Sequence, residues 1–324
     1  MHIRDGFLSP EVCLGTGVLA LGAMGWSLHK LRHSLGDRTV PLTGMTASLI
    51  FASQMVNFPL PLLPVSGHLL GGVLAAVLLG PWAGCVAISL VLMIQLALFY
   101  DGGWTVLGAN ILNMGVVGAW GGYVVYAALR SLLGNTRKGT LIAACLAAWL
   151  SVLAASTVFC AEFWLSWSSS EFNFLSVFGS MVFLHCLIGI GEAIITVAVL
   201  NFVLIQRPDL IYQSTVTSTS FGRIGRFFGA GLVTALATAA FLTPFASEYA
   251  DGLEEVAGQT GFDKLGREMH VLLWSDYQIP ALEQWGGLST SAAGILGTSV
   301  VLVVACGVMW LLKWTTKRSG RIGN

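Results

Sequence analysis

Apolar residues run along this chain in long blocks with short polar breaks, and few blocks show the one-sided polar stripe of a soluble amphipathic helix. Gly71–Leu79, Ala87–Phe99 and Ile295–Leu312 carry no charge at all. Runs of about 20 apolar residues are what a helix needs to cross a bilayer. The blocks predict an all-α, polytopic membrane helix bundle of about nine transmembrane helices, near 10–29, 41–58, 67–81, 83–100, 105–130, 139–166, 177–205, 228–246 and 291–313. The third and fourth meet at Gly80-Pro81-Trp82, where Pro stops a helix and Gly lets the chain turn.

The charged positions orient the bundle. Lys and Arg collect on the cytoplasmic side of membrane proteins. With the N-terminus outside and nine crossings, the inner segments take Lys30, Arg32, Arg38, Arg130, Arg137, Lys138, Arg207, Arg223, Arg226, Lys313, Lys317, Arg318 and Arg321, leaving only Arg4, Lys264 and Arg267 outside. The expected topology is N-out/C-in. Residues 1–205 are expected to form a bundle of seven helices, 206–227 a basic cytoplasmic linker, and 228–324 a helical pair with an acidic outer loop.

Composition agrees: 55% of the 324 residues are hydrophobic, only 10% are charged, and the formal net charge is zero. Soluble domains carry about 25% charged residues. Neutrality gives nucleic acid no footprint, and the lipid bilayer is the expected surrounding. The six cysteines are scattered, most of them in apolar blocks, and predict packing rather than chemistry. The opening Met1-His2-Ile3-Arg4-Asp5-Gly6 lacks the basic region leading into an apolar core of a signal peptide, so the N-terminus is expected to be retained.

That terminus is a chelator. The Met1 amine, the backbone nitrogen of His2 and a ring nitrogen of His2 can hold one ion through two small chelate rings. Imidazole suits nickel, copper and zinc, and a nitrogen-rich square-planar set points to nickel(II) or copper(II). His68, opening the third block on the same outer face, is the candidate for the fourth corner. Asn57, Asn110 and Asn113 are candidates to orient the imidazoles, Asn110 and Asn113 sharing one helix face. His185 and Glu192 lie two turns apart within the membrane, about 10 Å along the axis, and are assigned to structure or coupling. His29, His33 and His270 are expected to be solvated.

Met1-His2-Ile3-Arg4-Asp5-Gly6-Phe7-Leu8-Ser9-Pro10 closely resembles the N-terminal signature of the cobalt and nickel S components of energy-coupling-factor transporters, the CbiM/NikM family. The resemblance continues through Phe51-Ala52-Ser53-Gln54-Met55-Val56-Asn57-Phe58-Pro59, Ser66-Gly67-His68-Leu69-Leu70-Gly71-Gly72, Gly108-Ala109-Asn110-Ile111-Leu112-Asn113-Met114 and His185-Cys186-Leu187-Ile188-Gly189-Ile190-Gly191-Glu192. Asp251-Gly252-Leu253-Glu254 with Gly261-Phe262 resembles the small accessory N subunit, fused here at the C-terminus. The chain departs from the family in Arg4 and Ala250, each standing where the family usually has Pro; Arg4 also sets a cation near a cation site, with Asp5 as its expected offset.

The resemblance implies a transported Ni2+ or Co2+ held by four nitrogens: the Met1 amine, the His2 amide, the His2 imidazole and the His68 imidazole. It implies the substrate-specific subunit of an importer in the bacterial cytoplasmic membrane, working with a transmembrane coupling T component and two ATP-binding-cassette ATPases. No Gly-x-x-x-x-Gly-Lys-Ser/Thr loop occurs in the sequence, so ATP hydrolysis falls to partners. An ATP-independent channel or secondary transporter would want ionisable groups lining a path, for which only His185 and Glu192 offer themselves. An intramembrane metalloenzyme would need an open coordination position and a general base, and there is no His-Glu-x-x-His.

Overall fold

The computed structural model describes residues 1–32, 35–36, 38–168, 171–214, 221–267 and 274–322; His33 and His270 lie outside them, as does the middle of the expected linker. After a non-helical N-terminal segment come α1 (Pro10–Arg32), α2 (Thr39–Gln54), a two-residue hairpin of β1 (Phe58–Pro59) and β2 (Ser66–Gly67), α3 (Gly72–Leu79) and α4 (Pro81–Phe99). Next, α5 (Leu107–Asn110) runs through a π-helical stretch, Ile111–Gly121, into α6 (Gly122–Leu133). Two long helices follow, α7 (Arg137–Ser166) and α8 (Phe174–Gln206), then α9 (Phe221–Ala237), the short outer α10 (Gly252–Thr260) and α11 (Gly287–Ile322). Helix starts carry their chemistry: Thr136 accepts from Gly139 N–H, Asn173 from Ser176 N–H, and Asp251 with Glu254 closes a capping box on α10.

Among the described residues, seven helices are long and apolar enough to span a membrane, fewer than the nine crossings expected. The difference lies in α2, with 16 residues, and α3, with 8. At 1.5 Å per residue α3 is only about 12 Å long. The stretch Ser66–Gly71 leading into it is non-helical beyond β2 and adds up to about 20 Å. The segment from Ser66 to Leu79 is therefore half irregular chain and half helix, together about as long as the hydrocarbon core is thick.

Irregular backbone at membrane depth persists only where protein satisfies its polar groups. Both Glu192 oxygens accept from this segment, from Leu70 N–H at 2.6 Å and Gly71 N–H at 2.9 Å. The Leu70 carbonyl accepts from Gln54, whose own oxygen accepts from Gln95. The passage ends at Gly80, whose φ of +85° suits glycine; a Cβ there would come within 2.6 Å of the Tyr212 ring. Tyr212 N–H donates to Val77 O, tying this end to the segment after α8.

That end is basic. Arg38 and Arg207 both bind Asp209, and Arg137 donates to Asn201. The excess of Lys and Arg assigns it to the cytoplasm. α4 runs through the centre, mostly buried, whereas α1 and α8 carry exposed Leu14, Leu21, Phe183 and Ile194, which face lipid or a partner. The C-terminal helices are not appended loosely. α11 packs along α2, with Cys306 and Leu302 against Gly44 and Ser48 donating to the Thr298 carbonyl.

Candidate metal centre

The N-terminal segment folds into the outer end of the bundle rather than over it. Met1, Ile3, Asp5, Phe7 and Leu8 are all buried. Asn110 holds it as a neighbouring strand would, its oxygen accepting from Ile3 N–H (2.8 Å) and its amide donating to Ile3 O (3.1 Å). The Asp5 carboxylate accepts from the backbone N–H of Trp104 and Thr105 and from the hydroxyls of Thr105 and Tyr100. Trp167 donates to the Phe7 carbonyl, and the Phe7 ring meets Phe262 edge-on at 5.1 Å. Asp5 is thus committed to the 100–105 segment after α4, and the partner of Arg4 is Glu254 on α10, not the expected Asp5. These bonds supply the constraint that the missing proline would otherwise give.

At the tip, the Met1 amine touches His68 Nε2. The His2 and His68 rings stack with centroids 5.0 Å apart and planes inclined by 20°. His68 Nδ1 is held by the Leu69 carbonyl at 3.0 Å. His2 Nδ1 lies 2.5 Å from Asp101 Oδ1, while His2 Nε2 is buried with no hydrogen-bond partner among the described residues. Asp251 completes the cluster, its Oδ2 2.9 Å from the Met1 amine and 3.8 Å from His68 Nε2. Among the described residues no group of three or more His, Cys, Asp or Glu side chains is arranged to hold an ion.

Negative charge around these nitrogens is strongly held. Burial alone would raise the Asp101 carboxyl, but the His2 ring, with hydrogen bonds from His2 and Tyr277, draws it down to about 2. Burial likewise opposes ionisation of Asp251, and the terminal amine and His68 outweigh it, holding this carboxyl below the usual range. Glu254 moves the other way, raised by burial and by Asp251.

The remaining candidates separate by position. Asn110 sits directly behind the N-terminal segment. Asn57 lies at the mouth of the hairpin, where its carbonyl accepts from Ser247 N–H. Asn113 faces inward and donates to the buried Glu162 at 2.9 Å. His185 binds the Met181 carbonyl of its own helix and lines a small recess with Met1, His68 and Asp251. Glu192 caps the irregular passage that carries His68.

The comparisons with known proteins agree with this architecture. The family model described as cobalt uptake substrate-specific transmembrane region, CbiM, matches residues 2–210, well over half of the chain. The chain belongs to the CbiM family. A second model, the PDGLE domain, matches residues 225–314. This CbiM-family chain is 34% identical to a putative fused nickel transport protein NikMN of Archaeoglobus fulgidus, over 94% of this chain and 96% of that one. It is 30% identical to a probable fused nickel transport protein LarMN of Lactiplantibacillus plantarum (90% and 93% covered) and to a cobalt transport protein CbiM of Sorangium cellulosum (68% and 99%). The crystal structure of a truncated transition metal transporter superposes with a TM-score of 0.56 at 29% identity, covering 63% of this chain and 98% of that chain. Family and fold together make this a multi-pass membrane protein of the transporter class rather than an enzyme.

Sequence reasoning missed Asp101, Asp251 and Tyr277. Asp101-Gly102-Gly103 and Asp251-Gly252 are visible as turn-like acidic dipeptides, but nothing local marks them as neighbours of His2 and Met1 across 99 and 250 positions.

Proposed function

We propose that this chain is the substrate-specific membrane subunit of an ATP-driven nickel or cobalt importer, capturing the divalent ion at the outer face. The ion is substrate, held by the Met1 amine, the His2 amide nitrogen, the His2 imidazole and the His68 imidazole. The observation that carries this reading is the buried convergence of a terminal amine and two stacked imidazoles from segments 67 positions apart. The fused relatives named for nickel transport and the shorter ones named for cobalt transport support the choice of ion class.

Energy comes from a transmembrane coupling component and two ATP-binding-cassette ATPases, because the chain itself lacks a phosphate-binding loop. After capture, the loaded subunit reorients as its partners turn over ATP. Glu192 is committed to backbone N–H groups, which weighs against a carboxylate-lined channel. A planar nitrogen set leans towards nickel, and low-spin cobalt(II) also accepts it.

The test is the terminal amine. A single residue added before Met1 is expected to abolish high-affinity Ni2+ and Co2+ binding by the purified full chain, as are His2→Ala and His68→Ala. Wild-type affinity in the extended protein would overturn the assignment.

A further inference from the structure

The C-terminal segment, which no proposed ligand belongs to, reaches the ion site at two points. The first is Asp251. The Ala250 carbonyl accepts from Ser66 N–H (2.8 Å), the Tyr249 carbonyl accepts from the Ser66 hydroxyl (2.8 Å), and Ser247 N–H donates to Asn57 O. These bonds lay residues 247–251 along the hairpin that leads to His68. The contact uses the carbonyl of residue 250, which proline also has, so Ala250 costs nothing there. Gly252 lets the segment come close: a Cβ would lie 2.6 Å from Ile188 and 3.2 Å from the His185 ring. Asp251 then divides its work. Oδ1 caps α10 by accepting from Leu253 and Glu254 N–H at 2.8 Å, which locks the side chain, and Oδ2 is aimed at the Met1 amine.

The second point is Tyr277. Trp274 N–H and Asp276 N–H donate to the carbonyls of Leu98 and Phe99 at the outer end of α4. The Tyr277 ring stacks on Phe99 with centroids 4.6 Å apart. Tyr277 holds a φ of +56°, unusual for a bulky residue and maintained by this docking. Its hydroxyl donates to Asp101 Oδ2 at 2.6 Å, leaving Oδ1 for His2.

We infer that the C-terminal segment is a structural part of the ion site, with Asp251 positioning the Met1 amine and Tyr277 fixing Asp101 beside the His2 ring, the two carboxylates offsetting the charge of the captured divalent cation. Neither residue needs to touch the ion. Groups that orient ligands from behind typically affect metal affinity 10- to 100-fold. This inference rests on the proposed amine–imidazole site.

Asp251→Asn and Tyr277→Phe test it. Asn is as good an N-cap as Asp, so the first change keeps α10 closed and removes only the charge facing the amine. Phe keeps the ring on Phe99 and removes only the hydroxyl. In the purified full chain each is expected to weaken Ni2+ and Co2+ binding by about 10-fold at an ionic strength of about 0.15 M, with the ion-free melting temperature little changed. Glu283→Gln, removing an exposed acid from the same outer stretch, is the control and is expected to leave affinity unchanged. Wild-type affinity in both test variants would overturn the inference while leaving the ion site standing. So would an equal loss in Glu283→Gln, which would show a diffuse, salt-screened field instead. If the N-terminally extended protein binds as wild type does, the site and this inference fall together.

Discussion

α3 and α4 are adjacent passages joined by one glycine, and they solve the crossing problem in opposite ways. α4 is a continuous helix of 19 residues, starting at Pro81, where the missing N–H costs nothing, and its interior backbone groups pair within the helix. The passage through Ser66–Leu79 gives up half its helix to place His68 beside Met1. Its backbone must then borrow partners from elsewhere: Glu192 on α8 and Gln54 on α2. A ligand on regular helix is cheap to hold but restricted in direction. A ligand on irregular chain can be aimed, and the aim depends on side chains distant in sequence.

The two passages are therefore expected to respond differently to removal of a single polar group. The largest effect is expected for Glu192→Ala, which strands two buried N–H groups at about 1–3 kcal/mol each. Thermal unfolding in detergent should show the loss, and ion affinity should fall with it because His68 is two residues from the freed backbone. Gln54→Ala leaves both the Leu70 carbonyl and the buried Gln95 amide without their partner and is expected to cost about 1–3 kcal/mol in all, with a smaller change in affinity. Ser89→Ala on α4 completes the series. The Ser89 hydroxyl only donates back to Cys85 O within its own helix, so its loss is expected to change stability by no more than about 0.5 kcal/mol. A Ser89 effect as large as that of Glu192 would erase the distinction between the passages.

The accessory helices sharpen the same lesson. From sequence, 228–324 is a separate helical pair with an acidic loop. Folded, individual acids have individual tasks: Asp251 faces the amine, Glu254 pairs with Arg4, and Asp276 contributes a backbone N–H to the end of α4. The relation of Arg4 to the site is likewise tertiary, since its partner lies 250 positions away and the adjacent Asp5 is engaged elsewhere.

Several things were settled by residue order alone. Uninterrupted apolar runs dictate a membrane bundle, because the bilayer imposes it from outside and no tertiary contact is needed to read it. The chelating potential of a terminal amine followed by His2 is equally local, since the atoms are covalently close. His68 was legible as a histidine at an outer boundary next to glycines. The number of complete helices was not, because a passage with enough apolar residues can still be unwound when distant side chains satisfy its backbone. The carboxylates around the nitrogens were hidden for the same reason. Asp101, Asp251 and Tyr277 become neighbours of the site only when α4, α10 and the outer loop pack together, and a charge stabilised by partners far along the chain leaves no pattern in its own surroundings.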